Sequence, residues 1–140
     1  IDNIKDILDG ILCSIEIVDF RFQKQLSDIG AINLVSTNGA SDYWIHNDEI
    51  FNIDDIDLNN FEVSLFIDDE IKEVGNTKNV LNNPLNAVVW LINTLSKKGE
   101  AMLKHQYISS GSCTKAFKLI SGNRIKANFG KLGIIEFQYI

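Results

Sequence analysis

Phe61-Glu62-Val63-Ser64-Leu65-Phe66-Ile67-Asp68-Asp69-Glu70-Ile71-Lys72-Glu73-Val74 is the stretch that decides the fold class. Successive side chains of an extended chain point to opposite sides, so Phe61, Val63, Leu65 and Ile67 share one face of a strand. The acidic Asp68-Asp69-Glu70 interrupts the alternation and Ile71 to Val74 resumes it. That pattern predicts a β-hairpin, although its turn lacks the preferred Asn-Gly or Asp-Gly.

Downstream of the hairpin the period changes. Asn83-Pro84 starts a helix: Asn caps the first free N–H groups and Pro fits the first helical position. Leu85, Val88, Val89, Ile92 and Leu95 form its apolar stripe, widened by Trp90 and Leu91, so the helix is expected to be mostly buried. Lys97, Lys98 and Gly99 suit its C-terminal end. Further strands are predicted at Gln106 to Ser109, Phe117 to Leu119, Arg124 to Phe129 and Ile134 to Tyr139, separated by Ser121-Gly122-Asn123 and Gly130-Lys131-Leu132-Gly133. Upstream, Ile4, Ile7, Leu8 and Ile11 have helical spacing as far as Gly10. Ser14 to Phe22 reads as a strand, Gln23 to Asp28 as a polar segment with room for a short helix, and Thr37-Asn38-Gly39 as a turn. Asp48 to Asn60 has loop character. Residues 1–140 read as one β-rich α+β domain without repeats or an internal linker.

Composition sets bounds. The chain has 140 residues, 45% apolar and 23% charged, with a formal net charge of -6. No basic stripe is present, which argues against a nucleic-acid partner. The longest apolar run, Ala87 to Ile92, is too short to span a membrane. There is no secretory signal pattern, and Cys13 and Cys113 are the only cysteines, so we expect reduced thiols in a cytoplasm. The start at Ile1-Asp2-Asn3, without Met, gives the expectation of a piece of a longer parent.

Four groups bear on chemistry. Glu16 interrupts the apolar Ile15-Glu16-Ile17-Val18; by spacing alone, a solvated or ion-paired carboxylate accounts for it better than a metal ligand. Ser109-Ser110-Gly111-Ser112-Cys113-Thr114 is a hydroxyl-rich segment whose Gly111 allows close approach to a ligand carboxylate, but by residue type alone a polar turn between two strands explains it better. Asp55 to Phe66 fails the calcium-loop pattern, with Asn60 where Gly is needed and Phe66 where Glu is needed. Cys113 with His46 or His105 has the residue types of a nucleophile–base pair, but not a supporting spacing. No residue is assigned a catalytic role.

Taken in order, four segments resemble the hydratase/decarboxylase branch of the fumarylacetoacetate hydrolase superfamily, typified by 2-keto-4-pentenoate hydratase. Ile15-Glu16-Ile17-Val18-Asp19-Phe20-Arg21 is similar to the family's Leu-Glu-Ile-(Ile/Val)-Asp-Ser-Arg strand. Val80 to Leu91 is similar to its Val-Leu-Gly-Asn-Pro-Leu-Asn-Ala-Val-Ala-Trp-Leu helix start, with Asn82 in place of Gly. Ser110-Gly111-Ser112-Cys113-Thr114 matches its hydroxyl loop, and Phe129-Gly130-Lys131-Leu132-Gly133 its closing hairpin.

The resemblance implies a β-rich, mixed-sheet fold like that superfamily's C-terminal domain. It also implies a lyase that uses Mg²⁺ or Mn²⁺, held by three carboxylates, to add water to a short 2-keto dienoic acid in aromatic-compound breakdown. Glu16 then corresponds to the third metal carboxylate, and Asn33, Ser110, Gly111 and Ser112 to substrate-binding positions. The family's other two metal carboxylates, a Glu-x-Glu pair, and its lysine precede the matched region, so the chain alone is expected to be inactive. Asp68-x-Glu70 falls in the wrong hairpin to replace the pair. Ile32 stands where the family's Ala-Asp-Asn-Ala-Ser segment has Asp. The alternatives are a non-catalytic binding or assembly module, and a decarboxylase or acylpyruvate C–C hydrolase of the same superfamily. Apolar surface left uncovered in a partial chain predicts a homo-oligomer.

Overall fold

The computed structural model describes residues 2–19, 21–22 and 26–140. Its helices are α1 (Asp2–Lys5), α2 (Leu26–Ser36) and α3 (Pro84–Lys97). Its strands are β1 (Ser14–Val18), β2 (Ser41–His46), β3 (Glu62–Ile67), β4 (Glu70–Asn76), β5 (Arg124–Asn128) and β6 (Ile134–Gln138). One sheet has the order β4-β3-β5-β6 and a second pairs β1 with β2; every pairing is antiparallel. This is an α+β fold with the architecture expected of the superfamily's C-terminal domain.

The β3–β4 hairpin forms where the alternation predicts it. Its turn residues Asp68 and Asp69 have φ of 52° and 65°. Left-handed backbone at both positions matches the twist of paired strands, and Asp tolerates it better than most residues. The Asp68 carboxylate accepts hydrogen bonds from the Arg124 N–H (2.8 Å) and Asn123 Nδ2 (2.6 Å). Asp69 pairs with the Arg124 guanidinium, which holds its carboxyl below the usual carboxylate range. Asn123 and Arg124, at the entry to β5, thus hold this turn in the absence of Asn-Gly.

Val63, Ile67, Ile125, Ala127 and Ile135 are buried on one face of the four-stranded sheet. Ile135 belongs to a core with Leu85 and Val88 of α3, Cys13, Leu132, and Ile53, Ile56 and Leu58 of the connection before β3. α3 begins as predicted: Asn83 Oδ1 accepts from the Leu85 N–H at 2.8 Å, and Pro84 is the first helical residue. Asn83 Nδ2 also donates to Asn59 Oδ1 at 3.1 Å, which ties the cap to the acidic loop. The expectation that α3 is mostly buried needs correction. Trp90 is 64% exposed, because it lies two residues beyond Val88 and so points away from the stripe.

Other boundaries also differ. α1 is short, Ile7 is exposed, and Ile11 instead makes a bridge with Phe51. β1 stops at Val18, well before Phe22; beyond it Arg21 donates to the Thr37 and Ser41 carbonyls, both at 2.9 Å. Residues 23–25, part of the polar segment, lie outside the described residues. The apolar Ala31 to Val35 is helical within α2. β2 has no counterpart among the predicted strands. The segments Gln106 to Ser109 and Phe117 to Leu119 are not strands. Side chains and a turn hold this region instead: Gln106 N–H bonds Leu103 O, Lys115 N–H bonds Glu73 Oε2, and Ile120 N–H bonds Asn123 Oδ1.

Candidate functional site

A cleft of about 530 Å³ opens between α3, the segment leading into β1, and residues 102–111. Its volume falls within the range of small-molecule sites, roughly 300–1,000 Å³. Leu8, Ile11, Leu58, Leu85, Val88 and Ile92 supply apolar wall, and Ser110 and Gly111 supply hydroxyl and backbone.

The hydroxyl loop is held in place from β4. The Asn76 N–H (3.3 Å) and Asn79 Nδ2 (2.8 Å) donate to the Cys113 carbonyl. Gly75 allows this approach: a β-carbon there would stand 2.3 Å from that carbonyl oxygen. Gly111 has φ of 122°, left-handed backbone that a side chain disfavours, so its glycine is a conformational requirement. Ser110 and Gly111 line the cleft; Ser112 is exposed on the same loop outside the lining.

Glu16 sits in mid-β1 with its side chain exposed. Register pairs it with Trp44, and Ser14 with His46, so these four side chains share one face of the β1–β2 ribbon. The Trp44 ring lies tilted against His46 and Tyr107 with centroids 4.7 and 5.6 Å away, and His46 and Tyr107 stack at 5.4 Å. Trp44 and Tyr107 line the cleft and Glu16 does not. The indole Nε1 of Trp44 is buried and has no hydrogen-bond partner among the described residues. His46 Nδ1 lies 2.7 Å from the Asn47 carbonyl, which can only accept, so that nitrogen carries the proton.

Asn33 is away from this group. Its Nδ2 donates to the Ile29 carbonyl at 2.8 Å within α2, and it is not among the residues lining the cleft. Among the described residues no three or more His, Cys, Asp or Glu side chains gather as metal ligands. The described residues therefore do not by themselves fit a Mg²⁺ site, which takes several oxygen ligands in near-octahedral array. The cysteines are poor nucleophiles. Burial, with Glu49 adding to it, pushes the Cys13 thiol up to about 12, and burial also raises Cys113. Among the described residues no helix is long and apolar enough to cross a membrane.

Sequence reasoning missed Trp44, Tyr107, Gly75 and Asn47. Asn47 bridges two elements: its Oδ1 accepts from the Cys13 N–H (3.0 Å) and its Nδ2 donates to the Leu132 carbonyl (3.3 Å). One signal was available. A glycine inside a strand pattern, as in Val74-Gly75-Asn76, marks a close backbone approach.

No family model matches the chain. Among curated proteins it is 27% identical over 133 residues to 4-oxalocrotonate decarboxylase of Pseudomonas putida, covering 95% of this chain and 50% of that protein. It is 28% identical over 123 residues to 2-keto-4-pentenoate hydratase 1 of Dechloromonas aromatica (strain RCB), covering 88% and 46%. Among solved structures, 4-oxalocrotonate decarboxylase from Pseudomonas putida G7, complexed with magnesium and adipate, superposes with a TM-score of 0.84 at 26% identity. That match covers 92% of this chain and 48% of the other; the form with calcium and acetate gives a TM-score of 0.81. The chain spans about half the length of the curated relatives it matches. The ordered motifs, the agreement along nearly the whole sequence and the shared backbone lead to one conclusion: over nearly its whole length the chain is similar, in sequence and in fold, to about half of the 4-oxalocrotonate decarboxylases and 2-keto-4-pentenoate hydratases it matches.

Proposed function

We propose that this chain forms the substrate-facing part of a metal-dependent lyase that adds water to a short 2-keto dienoic acid. The observation that carries this reading is the placement of Ser110 and Gly111 on the cleft wall, in a backbone matching a decarboxylase solved with magnesium and adipate. In this reading the Ser110 and Ser112 hydroxyls and the Gly111 N–H hold the substrate carboxylate, since hydroxyls and turn N–H groups are suited to anions. Asn33 supplies a further polar contact. Glu16 contributes one carboxylate toward Mg²⁺ or Mn²⁺, and the remaining metal ligands come from residues outside this sequence. Among the described residues Glu16 belongs to no group of three or more candidate metal ligands. We expect the working protein to be a cytoplasmic homo-oligomer.

The 140-residue chain, supplied with 2-hydroxypenta-2,4-dienoate and Mg²⁺ or Mn²⁺, is expected to show no turnover. Measurable hydration by the chain alone would overturn the assignment of the other ligands. In an active longer protein containing this sequence, Glu16→Gln should abolish hydration and Ser110→Ala should raise KM.

Two other readings each have an observation behind them. A non-catalytic binding module is favoured by the lack of a metal cluster among the described residues, and by Ile32, 86% exposed where the family has Asp. It predicts 2-oxo acid binding unchanged by EDTA and no turnover in the longer protein. Decarboxylation, or C–C cleavage of an acylpyruvate, is favoured by the decarboxylases among the relatives. Assaying the longer protein against all three substrate types separates these reactions.

A further inference from the structure

The segment 101–112 walls one side of the cleft and is held there by side chains rather than by a backbone ladder. Upstream, the end of α3 is closed by the Gly99 N–H on the Ser96 carbonyl (3.0 Å) and the Glu100 N–H on the Leu95 carbonyl (2.9 Å). Downstream, the Cys113 carbonyl is fixed by Asn76 and Asn79. Between these anchors, every hydrogen bond among the described residues joins Leu103 to Gln106. The Gln106 N–H donates to the Leu103 carbonyl (3.3 Å), and Gln106 Oε1 accepts from the Leu103 N–H (2.7 Å). The turn is thus closed on itself, and segments with so few ties to the rest of a fold open locally at small cost.

Two side chains seat the turn. Ile108 packs, half-buried, against the core. Tyr107 stacks on His46 at 5.4 Å and lies tilted against Trp44 at 5.6 Å, although the residue is 59% exposed. That seat carries a cost. The indole Nε1 of Trp44 is buried and has no partner among the described residues, so its N–H has lost water without gaining an acceptor. The cost is of the same order as the gain from an aromatic pair, so this contact releases as readily as it holds. Behind the turn lies the apolar wall of α3, and Cys13, which also lines the cleft, is 3% exposed.

We propose that residues 101–107 are a lid on the cleft, latched by the Tyr107 ring against Trp44 and His46. Latched, the lid closes the side of the cleft opposite α3. Released, it lets water reach the Trp44 indole and opens a way to the cleft wall, while Ile108 and the Cys113 carbonyl hold the downstream end in place. Motion of this kind gates entry to many sites. The inference concerns access to the cleft and not what the cleft takes, so it stands or falls independently of the lyase reading.

The test is alkylation of Cys13 by iodoacetamide at one pH, in a chain carrying Cys113→Ser so that a single thiol reacts. The reagent reaches Cys13 either through an opening of the cleft or through unfolding of the whole chain. Lid opening exposes little surface, so below the unfolding transition its rate should hardly change with urea, whereas a rate limited by unfolding climbs steeply. Tyr107→Ala should speed the urea-insensitive reaction about ten-fold, and Tyr107→Phe, which keeps the ring, should stay within about two-fold of the parent. Tyr107 is exposed, so both variants are expected to fold, and unchanged amide protection in β3 and β5 checks this. Alkylation limited by unfolding in parent and Tyr107→Ala alike would overturn the inference. So would a folded Tyr107→Ala that reacts at the parent's rate, or a Tyr107→Phe as fast as Tyr107→Ala. If Tyr107→Ala does not fold, the urea dependence of the parent decides alone: an insensitive rate supports the lid, and an unfolding-limited rate defeats it.

Discussion

The four-stranded sheet and the segment from Gly99 to Asn123 are held by different means. In the sheet, β3 pairs with both β4 and β5, and β5 pairs with β6, so each strand is fixed by a repeated ladder. The segment after α3 is fixed at separate points: Cys113 on Asn76 and Asn79, Lys115 on Glu73, Ile120 on Asn123. A ladder spreads a local loss over many bonds, whereas a point-held segment stands or falls with individual contacts. The part that faces a ligand is the point-held one, in keeping with function residing on loops set against a rigid scaffold.

The largest effect should come from damage to the ladder side. Ile125 is 2% exposed in β5, between β3 and β6. Ile125→Ala removes buried methyl groups and leaves a cavity, so urea denaturation should show a loss of about 2–5 kcal/mol. The loss should be global, with amide exchange accelerated in all four strands. Faster exchange confined to β5 would mean that the sheet does not act as one unit.

A smaller but more selective effect is expected where the two regions touch. Gly75 belongs to the sheet by its backbone and to the loop by the space it leaves. Gly75→Ala forces either β4 or the Cys113 carbonyl to move, because backbone lies on both sides of the contact. Overpacking of this kind costs about 1–3 kcal/mol. The readout is amide exchange: the Asn76 and Lys115 N–H groups, which bond between β4 and the loop, should lose protection while β3 and β5 keep theirs. Loss of protection along all of β4 instead would show the loop to be the more rigid of the pair.

The same division explains what the sequence makes legible. The β3–β4 and β5–β6 hairpins and the Asn83-Pro84 start of α3 are local patterns: alternation, a cap, a proline at the first turn. They form as predicted because period and capping are properties of a few neighbouring residues. Gln106 to Ser109 and Phe117 to Leu119 also have strand-like composition, but no described strand pairs with them: the Gln106 N–H closes a local turn on Leu103, and the neighbouring Lys115 and Ile120 N–H groups bond the side chains of Glu73 and Asn123. β2 is the reverse case. Tyr43 and Ile45 alternate with Trp44 and His46, but they follow a Gly-containing turn and carry an acidic neighbour, and the strand is secured by pairing with β1. Of the candidate site, the hydroxyl loop and its Gly111 were legible from residue type. The placement of Trp44 beside Glu16 was not, because it depends on the β1–β2 register.

Cys13 lies where the regions meet, in the core and on the cleft wall, with its thiol 3.6 Å from the Leu132 carbonyl. Its pKa is pushed up to about 12 by burial and by Glu49, above an ordinary value of 9.0. An acid whose folded pKa is raised binds its proton more tightly when folded, so its contribution is complete below pH 9 and is lost as pH rises toward about 12. Melting temperature should therefore fall across that window in the parent, and fall less in Cys13→Ala. Parallel decline in both would assign the alkaline transition to other groups.

The smallest effect is expected at Trp90. It is 64% exposed on the side of α3 away from Leu85 and Val88, and the Thr94 hydroxyl bonds to its backbone carbonyl rather than to its ring. Trp90→Ala removes an aromatic side chain that packs little, and surface changes of this kind stay within about 0.5 kcal/mol. At low protein concentration the stability should be that of the parent. At high concentration the same substitution separates two meanings of exposure. If Trp90 faces only water, the sedimentation behaviour of the variant matches the parent. If the expected self-association uses this face, the variant dissociates more readily, and its stability falls below the parent's only where the parent is assembled. A loss well above 0.5 kcal/mol in the dilute monomer would contradict both, and would place Trp90 against part of the chain itself.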